Sequence, residues 1–362
     1  MSKHFHRLRI IRLQKETEHA VVLTFDVPAD LADSFSFTQG QYLTLRATID
    51  GEVVQRSYSI CSGVDDDELR VGIKHVEDGV FSSWANQHIK AGEFIDVMAP
   101  RGDFFTELDP EKGRNYLCIS AGSGITPILS IIKTTLAREP LSKITLLYGN
   151  QRSATMMFRN ELAFLKNQYI TRFHWINIFS KEPQEAEILS GHINNRKGGD
   201  LNRRLIKIRD FDEFFLCGPE GMISEVSRGL RSEGITEDHI HFELFAASAE
   251  NARKAVERHH ARAQKHKGKV SQVTIRAGGR EYNFELSADG ENLLDAGLHN
   301  GVDLPFSCKG GVCATCKARL KEGEVDMDLN QALQADELEK GFILTCQSHP
   351  ISDKVVVDFD EI

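Results

Sequence analysis

Apolar and polar positions alternate in short runs over the first hundred residues. Gly, Pro and Asp separate five such runs, at 5–13, 20–27, 41–49, 68–76 and 93–100. A period of two residues is typical of strands with one buried face, and the turn residues between the runs favour antiparallel connections. The pattern predicts an antiparallel β-barrel domain over residues 1–108.

A second pattern follows, in which buried strands alternate with helices. Residues 115–136 read as an apolar strand, a Gly loop and an amphipathic helix, and residues 212–230 repeat that order. Strand-like runs at 143–150 and 174–180 lie between them. This alternation predicts an α/β domain with a parallel sheet over residues 109–245, and a ligand at the carboxyl edge of the sheet.

The last part of the chain, residues 270–362, begins as a predicted hairpin followed by a short helix, which favours an α+β domain. Before it, residues 246–269 contain 7 Lys and Arg against 2 Asp and Glu and have no apolar stripe. We expect a basic, flexible linker there, with some helix. Its histidines, His259, His260 and His266, fit a solvated linker better than a metal-binding tract.

The cysteine spacing of residues 308–316 is the most specific chemical signal. Three cysteines have C-x4-C-x2-C spacing, and a fourth follows after 29 further residues. This is the plant-type spacing that holds a [2Fe–2S] cluster. The alternatives are scattered thiols or a structural zinc site, which usually pairs two short Cys knuckles. The predicted cluster ligands are Cys308, Cys313, Cys316 and Cys346.

Length and charge narrow the class of protein. A chain of 362 residues with 27% charged residues suggests two or three globular domains. The net charge of −9 argues against nucleic-acid binding. Residues 270–362 have 8 Lys and Arg against 17 Asp and Glu, which suits either docking to basic redox partners or solubility alone. Without a secretory signal or a long apolar run, we expect a cytoplasmic protein that does not insert into a membrane.

Two phosphate-type signals lie in the predicted barrel. Residues 56–59, Arg-Ser-Tyr-Ser, place a guanidinium and a phenol on one strand face, which suits a pyrophosphate and a flat heterocycle. Residues 79–83 read as a Gly loop that opens a helix, whose N–H groups bind phosphate. Together they predict a flavin, although an Arg–Tyr pair alone is common on surfaces. The residues concerned are Arg56, Ser57, Tyr58, Ser59, Gly79, Val80, Phe81 and Ser82.

The nicotinamide signals are weaker. The loop at 122–127, GSGITP, lacks the third Gly of the dinucleotide fingerprint. No acidic residue is expected at an adenine ribose 2′-hydroxyl, whereas cationic and hydroxyl side chains follow two strand ends. They suit a 2′-phosphate and favour NADPH over NADH, unless they are ordinary exposed groups. The residues concerned are Gly122, Ser123, Gly124 and Thr126 in the loop, and Arg152, Ser180 and Lys181 at the strand ends.

Together these motifs resemble the ferredoxin–NADP reductase superfamily and, more closely, the reductase components of bacterial phenylacetyl-CoA epoxidases. The resemblance spans essentially the whole chain in the order flavin, NADP, ferredoxin. It is densest in SAGSGITP, MMFRNELAFLK, CGPEGM, DLPFSCKGGVCATCKARL and VVVDFD. It implies FAD as the flavin and a β-grasp plant-type ferredoxin domain over residues 270–362.

The same resemblance implies roles for single residues. Those that would hold FAD are Arg56, Tyr58 and Ser59, with Ser59 near the flavin N5, and Val80, Phe81 and Ser82 at the pyrophosphate. Those that would meet the nicotinamide cofactor are Ile73 and Lys74, Ser123, and Cys217, Gly218 and Pro219. Glu243 and Phe245 match the acidic residue of the family and the aromatic that covers the isoalloxazine.

These features predict electron transfer from NADPH through FAD and the cluster to an oxygenase. The resemblance implies that this acceptor is a multi-subunit di-iron oxygenase that epoxidises phenylacetyl-CoA in phenylacetate degradation. One alternative keeps the chemistry and changes the acceptor to a fatty-acyl desaturase or a ring-hydroxylating or alkyl oxygenase. The other is a non-enzymatic iron–sulfur carrier or sensor.

Overall fold

A computed structural model describes residues 5–245 and 249–361. The chain forms two compact units, Met1–Leu244 and Phe245–Ile362. The expected division of the first unit at residue 108 stays a prediction. Over the part of the chain that is described, no helix is long and apolar enough to cross a membrane.

The first unit opens with a six-stranded antiparallel sheet. Its order is β4-β3-β6-β1-β2-β5, and a bridge between Ile60 and Val71 joins the two edge strands. Closure removes free edges and encloses an apolar core, so the predicted barrel is confirmed. Its elements are β1 Phe5–Thr17, β2 Ala20–Asp26, β3 Tyr42–Ile49, β4 Glu52–Ser59, β5 Leu69–Lys74, α1 Val80–Gln87 and β6 Phe94–Met98.

The predicted parallel sheet is also confirmed. Five strands lie in the order β11-β10-β7-β8-β9, and every neighbouring pair is parallel. The elements are β7 Asn115–Ala121, α2 Ile125–Arg138, β8 Lys143–Asn150, α3 Arg159–Gln168, β9 Phe173–Phe179, α4 Asn195–Arg204, β10 Glu213–Cys217, α5 Glu220–Ser232 and β11 Ile240–Glu243.

Alternate residues of β7 explain why the sheet is covered on both faces. Tyr116 and Cys118 belong to the same apolar core as Leu129 of α2. Leu117 and Ile119 face the opposite side, where α4 and α5 lie. A strand that is apolar on both faces must be covered on both. Because all five strands are parallel, their carboxyl ends lie at a common edge of the sheet.

The second unit contains a mixed five-stranded sheet of order β13-β12-β18-β14-β16 and a two-stranded sheet, β15-β17. Only the pair β12–β18 is parallel within the described part of this unit. This agrees with the expected β-grasp fold. The elements are α6 Ala249–Lys265, β12 Val270–Ala277, β13 Arg280–Ser287, α7 Leu293–His299, β14 Lys317–Glu322, β15 Val325–Met327, α8 Ala335–Glu339, β16 Phe342–Leu344, β17 Ser348–Pro350 and β18 Lys354–Asp358.

The expectation of a flexible linker over 246–269 is corrected for most of that segment; residues 246–248 lie outside the described residues. Helix α6 covers 17 residues, and Arg262 on it is only 3% exposed. The Arg262 guanidinium forms an ion pair with Asp328, which is 8% exposed. The packing of this helix was not predicted, because its buried contact is a charged pair, whereas sequence patterns reveal packed helices by their apolar stripes.

Candidate cofactor sites

The four predicted cluster ligands come from two segments of the second unit. Cys308, Cys313 and Cys316 lie in one loop, and Cys346 follows β16. Cys316 and Cys346 are buried, whereas Cys308 and Cys313 are half-buried. The Gly310 N–H donates to Cys308 Sγ at 3.3 Å.

The loop stabilises a thiolate. A hydrogen bond with Cys313, together with the backbone N–H groups of Gly310 and Val312, outweighs the effect of burial and lowers the pKa of Cys308 to about 6. Gly311 has a φ of +74°, and a side chain there would collide with the Leu329 carbonyl oxygen. Thiols from two segments, with N–H groups aimed at sulfur, fit a [2Fe–2S] cluster.

The flavin motif lies on β4. Arg56 is exposed and Tyr58 half-buried, while Ser59 is 4% exposed. The Tyr58 ring lies 5.5 Å from that of Phe81, and burial raises the pKa of its hydroxyl. Ser57 is on the other strand face, where its hydroxyl is 3.0 Å from that of Thr44. Arg56 and Tyr58 thus share the accessible face, as the strand period predicts.

Helix α1 begins at the predicted Gly loop, but two of the predicted cofactor residues on it, Phe81 and Ser82, are buried. Phe81 is 1% exposed, and the Ser82 hydroxyl donates to the Gly79 carbonyl at 3.1 Å. A phosphate could therefore be bound there by the backbone N–H groups that follow Gly79, a position where the described structure has no side-chain cap. Ile73 is fully buried in the barrel core, so its side chain is not available to a cofactor.

The Gly loop between β7 and α2 packs against the segment after β10. A side chain on Gly124 would collide with the Cys217 carbonyl oxygen, and Gly122 has a φ of +57°. A Cβ on Gly122 would lie 3.6 Å from Lys74 Nζ, which places this barrel lysine over the loop. Burial lowers the pKa of Lys74, and an anion beside it would favour its charged form. Within the loop, Thr126 Oγ1 donates to the Ser123 carbonyl at 3.0 Å.

The barrel and the parallel sheet meet at a half-buried polar contact. Ser59 Oγ donates to Glu243 Oε2 at 3.1 Å, and Glu243 pairs with Cys217 across β10 and β11. Burial raises the pKa of Glu243 to about 8, against the hydrogen bond from Ser59. It also raises the pKa of Cys217, and nearby Glu243 adds to that effect. Three predicted residues are thus brought together.

The remaining predicted residues of this site are Gly218, Pro219 and Phe245. Gly218 and Pro219 follow Cys217, and Pro219 precedes the first residue of α5. Phe245 begins the second unit and is 42% exposed. The role of Phe245 as a cover for the isoalloxazine stays a prediction.

Arg152, Ser180 and Lys181 follow the carboxyl ends of β8 and β9, as expected. The two segments are joined beyond the strands, because the Lys181 N–H donates to the Gln151 carbonyl at 2.9 Å. Sequence reasoning missed an acidic residue near these strand ends: the Glu182 carboxylate accepts a hydrogen bond from the Ser153 N–H at 2.8 Å. The sequence feature that could have indicated this acidic residue is Lys-Glu directly after a predicted strand.

One histidine of α6, His259, lies in a group of polar side chains. His259 joins Asp328 and His349, whose ligand-type atoms lie within 4.8 Å of one another. The Arg262 guanidinium donates to Asp328, and its Nη2 lies 2.6 Å from His259 Nδ1. A buried guanidinium therefore supplies the positive charge in this group, and a metal ion would have to displace it.

Three family models match the chain in the predicted order. An oxidoreductase FAD-binding domain matches residues 7–105, an oxidoreductase NAD-binding domain residues 118–228, and a 2Fe-2S iron–sulfur cluster binding domain residues 275–350. The expected cofactor classes are therefore confirmed. FAD, a nicotinamide nucleotide and a [2Fe–2S] cluster correspond to the sites described above.

Two relatives cover essentially the full chain. One of the subunits that make up the 1,2-phenylacetyl-CoA epoxidase of Escherichia coli K12 is 43% identical over 98% of both chains. The ferredoxin reductase component of the 3-ketosteroid-9-alpha-monooxygenase of Mycolicibacterium smegmatis is 34% identical over 100% of this chain and 99% of its own. The chain belongs to this family of oxygenase reductase components. The resemblance to phenylacetyl-CoA epoxidase reductases is confirmed, and the chain is an oxidoreductase of the ferredoxin reductase type.

Solved structures show the same architecture for this reductase family. Phthalate dioxygenase reductase aligns over 98% of both chains with a TM-score of 0.61 at 23% identity. The FAD/NAD-binding domain of a nitric oxide dioxygenase from Vibrio cholerae covers 68% of this chain and all of its own, with a TM-score of 0.59 and 27% identity. The first supports the fold of the whole reductase, and the second that of its flavin and nicotinamide part.

Proposed function

We propose that this reductase takes electrons from NADPH and delivers them to the di-iron oxygenase of a phenylacetyl-CoA epoxidase. The observation that carries the choice of acceptor is the 43% identity to a component of such an epoxidase over 98% of both chains. When bound, FAD would supply chemistry that converts a two-electron hydride donor into single electrons, and the [2Fe–2S] cluster would supply one-electron transfer, which suits an oxygenase that takes one electron at a time.

The chain positions and tunes these groups. Tyr58 would stack on the flavin ring, and Arg56 and the N–H groups after Gly79 would hold its pyrophosphate. Ser59 would hydrogen-bond the flavin N5. Because the pKa of Glu243 is about 8, its carboxyl group is mostly protonated at neutral pH and holds a proton next to Ser59.

The nicotinamide cofactor would lie along the Gly loop and the edge of the parallel sheet. Lys74 and Ser123 would meet its phosphates, with the nicotinamide near Cys217. The preference for NADPH rests on Arg152 and Lys181, two exposed cations at the carboxyl ends of β8 and β9. A guanidinium and an ammonium suit a 2′-phosphate, which NADH lacks.

The acceptor is tested by reconstitution. The purified chain, NADPH, oxygen and phenylacetyl-CoA are mixed with the catalytic subunits of the epoxidase, and NADPH consumption and epoxide formation are followed together. We expect the two to be coupled. Rapid cytochrome c reduction without epoxide formation would support the reductase activity and reject this acceptor.

The matched control replaces the epoxidase subunits by the oxygenase component of 3-ketosteroid-9-alpha-monooxygenase with a ketosteroid substrate. The 34% identity to the reductase of that system makes it the strongest competing acceptor. Coupled turnover there, and none with the epoxidase, would reassign the partner.

A further inference from the structure

The Glu182 carboxylate lies between the two chain segments that bear the cations assigned to the 2′-phosphate, because it is hydrogen-bonded to Ser153. Beyond the strands, the Ser180 N–H donates to the Asn150 carbonyl and the Lys181 N–H to the Gln151 carbonyl, each at 2.9 Å. These bonds hold the two chain segments side by side. Glu182 follows directly, and on the other segment Arg152 is followed by Ser153.

Ser153 donates two hydrogen bonds to the Glu182 carboxylate. Its backbone N–H and its hydroxyl both donate to Glu182 Oε2, at 2.8 and 3.0 Å. Both residues are half-buried, whereas the neighbouring Arg152 and Lys181 are exposed. In the described structure neither cation forms an ion pair, although Glu182 is adjacent to Lys181 in sequence.

An unrestrained carboxylate at this position would compete with a phosphate for the same two cations. A 2′-phosphate carries about −1.5 to −2 charges near neutral pH, and Arg and Lys bind it through charge-assisted hydrogen bonds. A Glu side chain has several rotatable bonds, and Glu182 is next to Lys181 in the chain while its partner Ser153 is next to Arg152. Two hydrogen bonds to one oxygen restrict that freedom and direct the carboxylate to Ser153.

We propose that Ser153 and Glu182 form a specificity-determining pair, in which Ser153 holds the Glu182 carboxylate so that Arg152 and Lys181 stay available to the 2′-phosphate. Both are positioning residues. The inference rests on the proposed NADPH site and deepens it. NADH has no 2′-phosphate, so the pair affects the use of NADPH and leaves NADH unchanged.

The variants Ser153→Ala, Ser153→Thr, Glu182→Gln and Ser153→Ala/Glu182→Gln test the pair. NADPH and NADH oxidation are measured with ferricyanide, with kcat and KM separated. Ser153→Ala should lower kcat/KM for NADPH about fivefold, through KM, because a partly screened ion pair competes with the phosphate. Ser153→Thr keeps the hydroxyl and should retain the wild-type value.

The double variant gives the sharpest outcome. Glu182→Gln retains an acceptor for Ser153 but removes the charge, so it should restore NADPH use in the Ser153→Ala background. Inhibition by 2′-AMP should follow the same order, and inhibition by 5′-AMP should not change. Equal NADPH constants in Ser153→Ala and the wild type would overturn the pair. A fall of kcat/KM for NADH in Glu182→Gln would also overturn it, since Glu182 would then bind the ribose itself.

Arg152→Ala and Lys181→Ala separate failure of this pair from failure of the NADPH site. If both raise the KM for NADPH and Ser153→Ala does not, the site stands and the pair is rejected. If the wild type does not prefer NADPH and neither cation variant changes its KM, the proposed site and the pair are both rejected. Flavin absorbance confirms that each variant is folded.

Discussion

Glu243 is a carboxylic acid in a place that suits the neutral form better than the ionised one. Glu243 is the last residue of β11, the last strand of the first unit. Its Oε2 accepts a hydrogen bond from Ser59 Oγ of the barrel at 3.1 Å. Burial raises its pKa to about 8, because a charged carboxylate loses more hydration than one hydroxyl returns. The proton that Glu243 keeps at neutral pH is therefore a property of the folded chain.

Glu243→Gln should change the pH dependence of stability. The folded pKa of about 8 lies above the ordinary value of 4.5, so the folded state binds more protons between these values. The stabilising contribution of Glu243 is fully present below the lower value and is lost as the pH rises through the upper one. Between these limits, the free energy of unfolding of the wild type should fall relative to that of the variant, as urea denaturation at several pH values would show.

Glu233→Gln is the matched control, because Glu233 is an exposed carboxylate of the same unit. It should leave the pH dependence as in the wild type. If the curves of Glu243→Gln and the wild type run parallel over the whole range, Glu243 does not hold a proton in the folded chain.

At the scale of elements, helix α6 belongs to the second unit and is fixed by charge. Arg262 contacts Asp328, and His349 Nε2 lies 3.1 Å from Asp328 Oδ2. Burial alone would raise the pKa of Asp328, but hydrogen bonds with His349 and Arg262 outweigh it and hold the pKa below its ordinary value. Asp328 is therefore ionised and depends on its partners.

Arg262→Met should destabilise the second unit. It leaves the buried Asp328 carboxylate without its cation, a loss that typically costs about 3–5 kcal/mol. Thermal unfolding, followed by the visible circular dichroism of the cluster, would report the change. Lys265→Ala is the control, because Lys265 is an exposed cation of the same helix and should change the midpoint little. Equal midpoints for the two variants would mean that α6 is not held by this pair.

The sequence was most informative where chemistry or burial imposes a spacing. A [2Fe–2S] cluster requires thiolates at set intervals, and buried strands require apolar periods, so the class of cluster, the barrel and the parallel sheet could be predicted. Contacts between distant segments leave no such pattern. Neither Arg262 with Asp328 nor Ser153 with Glu182 could be paired in advance, since a single charged residue looks the same whether it is solvated or buried.

At the scale of the whole molecule, assigning α6 to the second unit changes its charge. Residues 270–362 alone carry a net charge of −9, but Phe245–Ile362 has 15 Lys and Arg against 19 Asp and Glu, a net charge of −4. The first unit carries the remaining −5. Long-range attraction of a basic partner depends on this total and on its distribution. The unit that contains the cluster loop is therefore less negative than residues 270–362 alone.

Cys308→Ser tests the order of electron transfer through the molecule. It removes one of the four thiolates and leaves the first unit unchanged. We expect NADPH-to-ferricyanide activity to persist and cytochrome c reduction to be abolished, both measured on protein with wild-type flavin content. If cytochrome c reduction also persists, electrons leave the flavin without passing through the cluster.

The Arg262 guanidinium lies in a group of two histidines and a carboxylate that otherwise resembles a metal site. Many small domains use zinc to hold a helix against a sheet. Such domains fold only when the ion is available, and a chelator unfolds them. Here the cation is covalently part of the chain. The attachment of α6 therefore requires no metal ion. This helix contact forms equally well in a cell that is short of divalent metals.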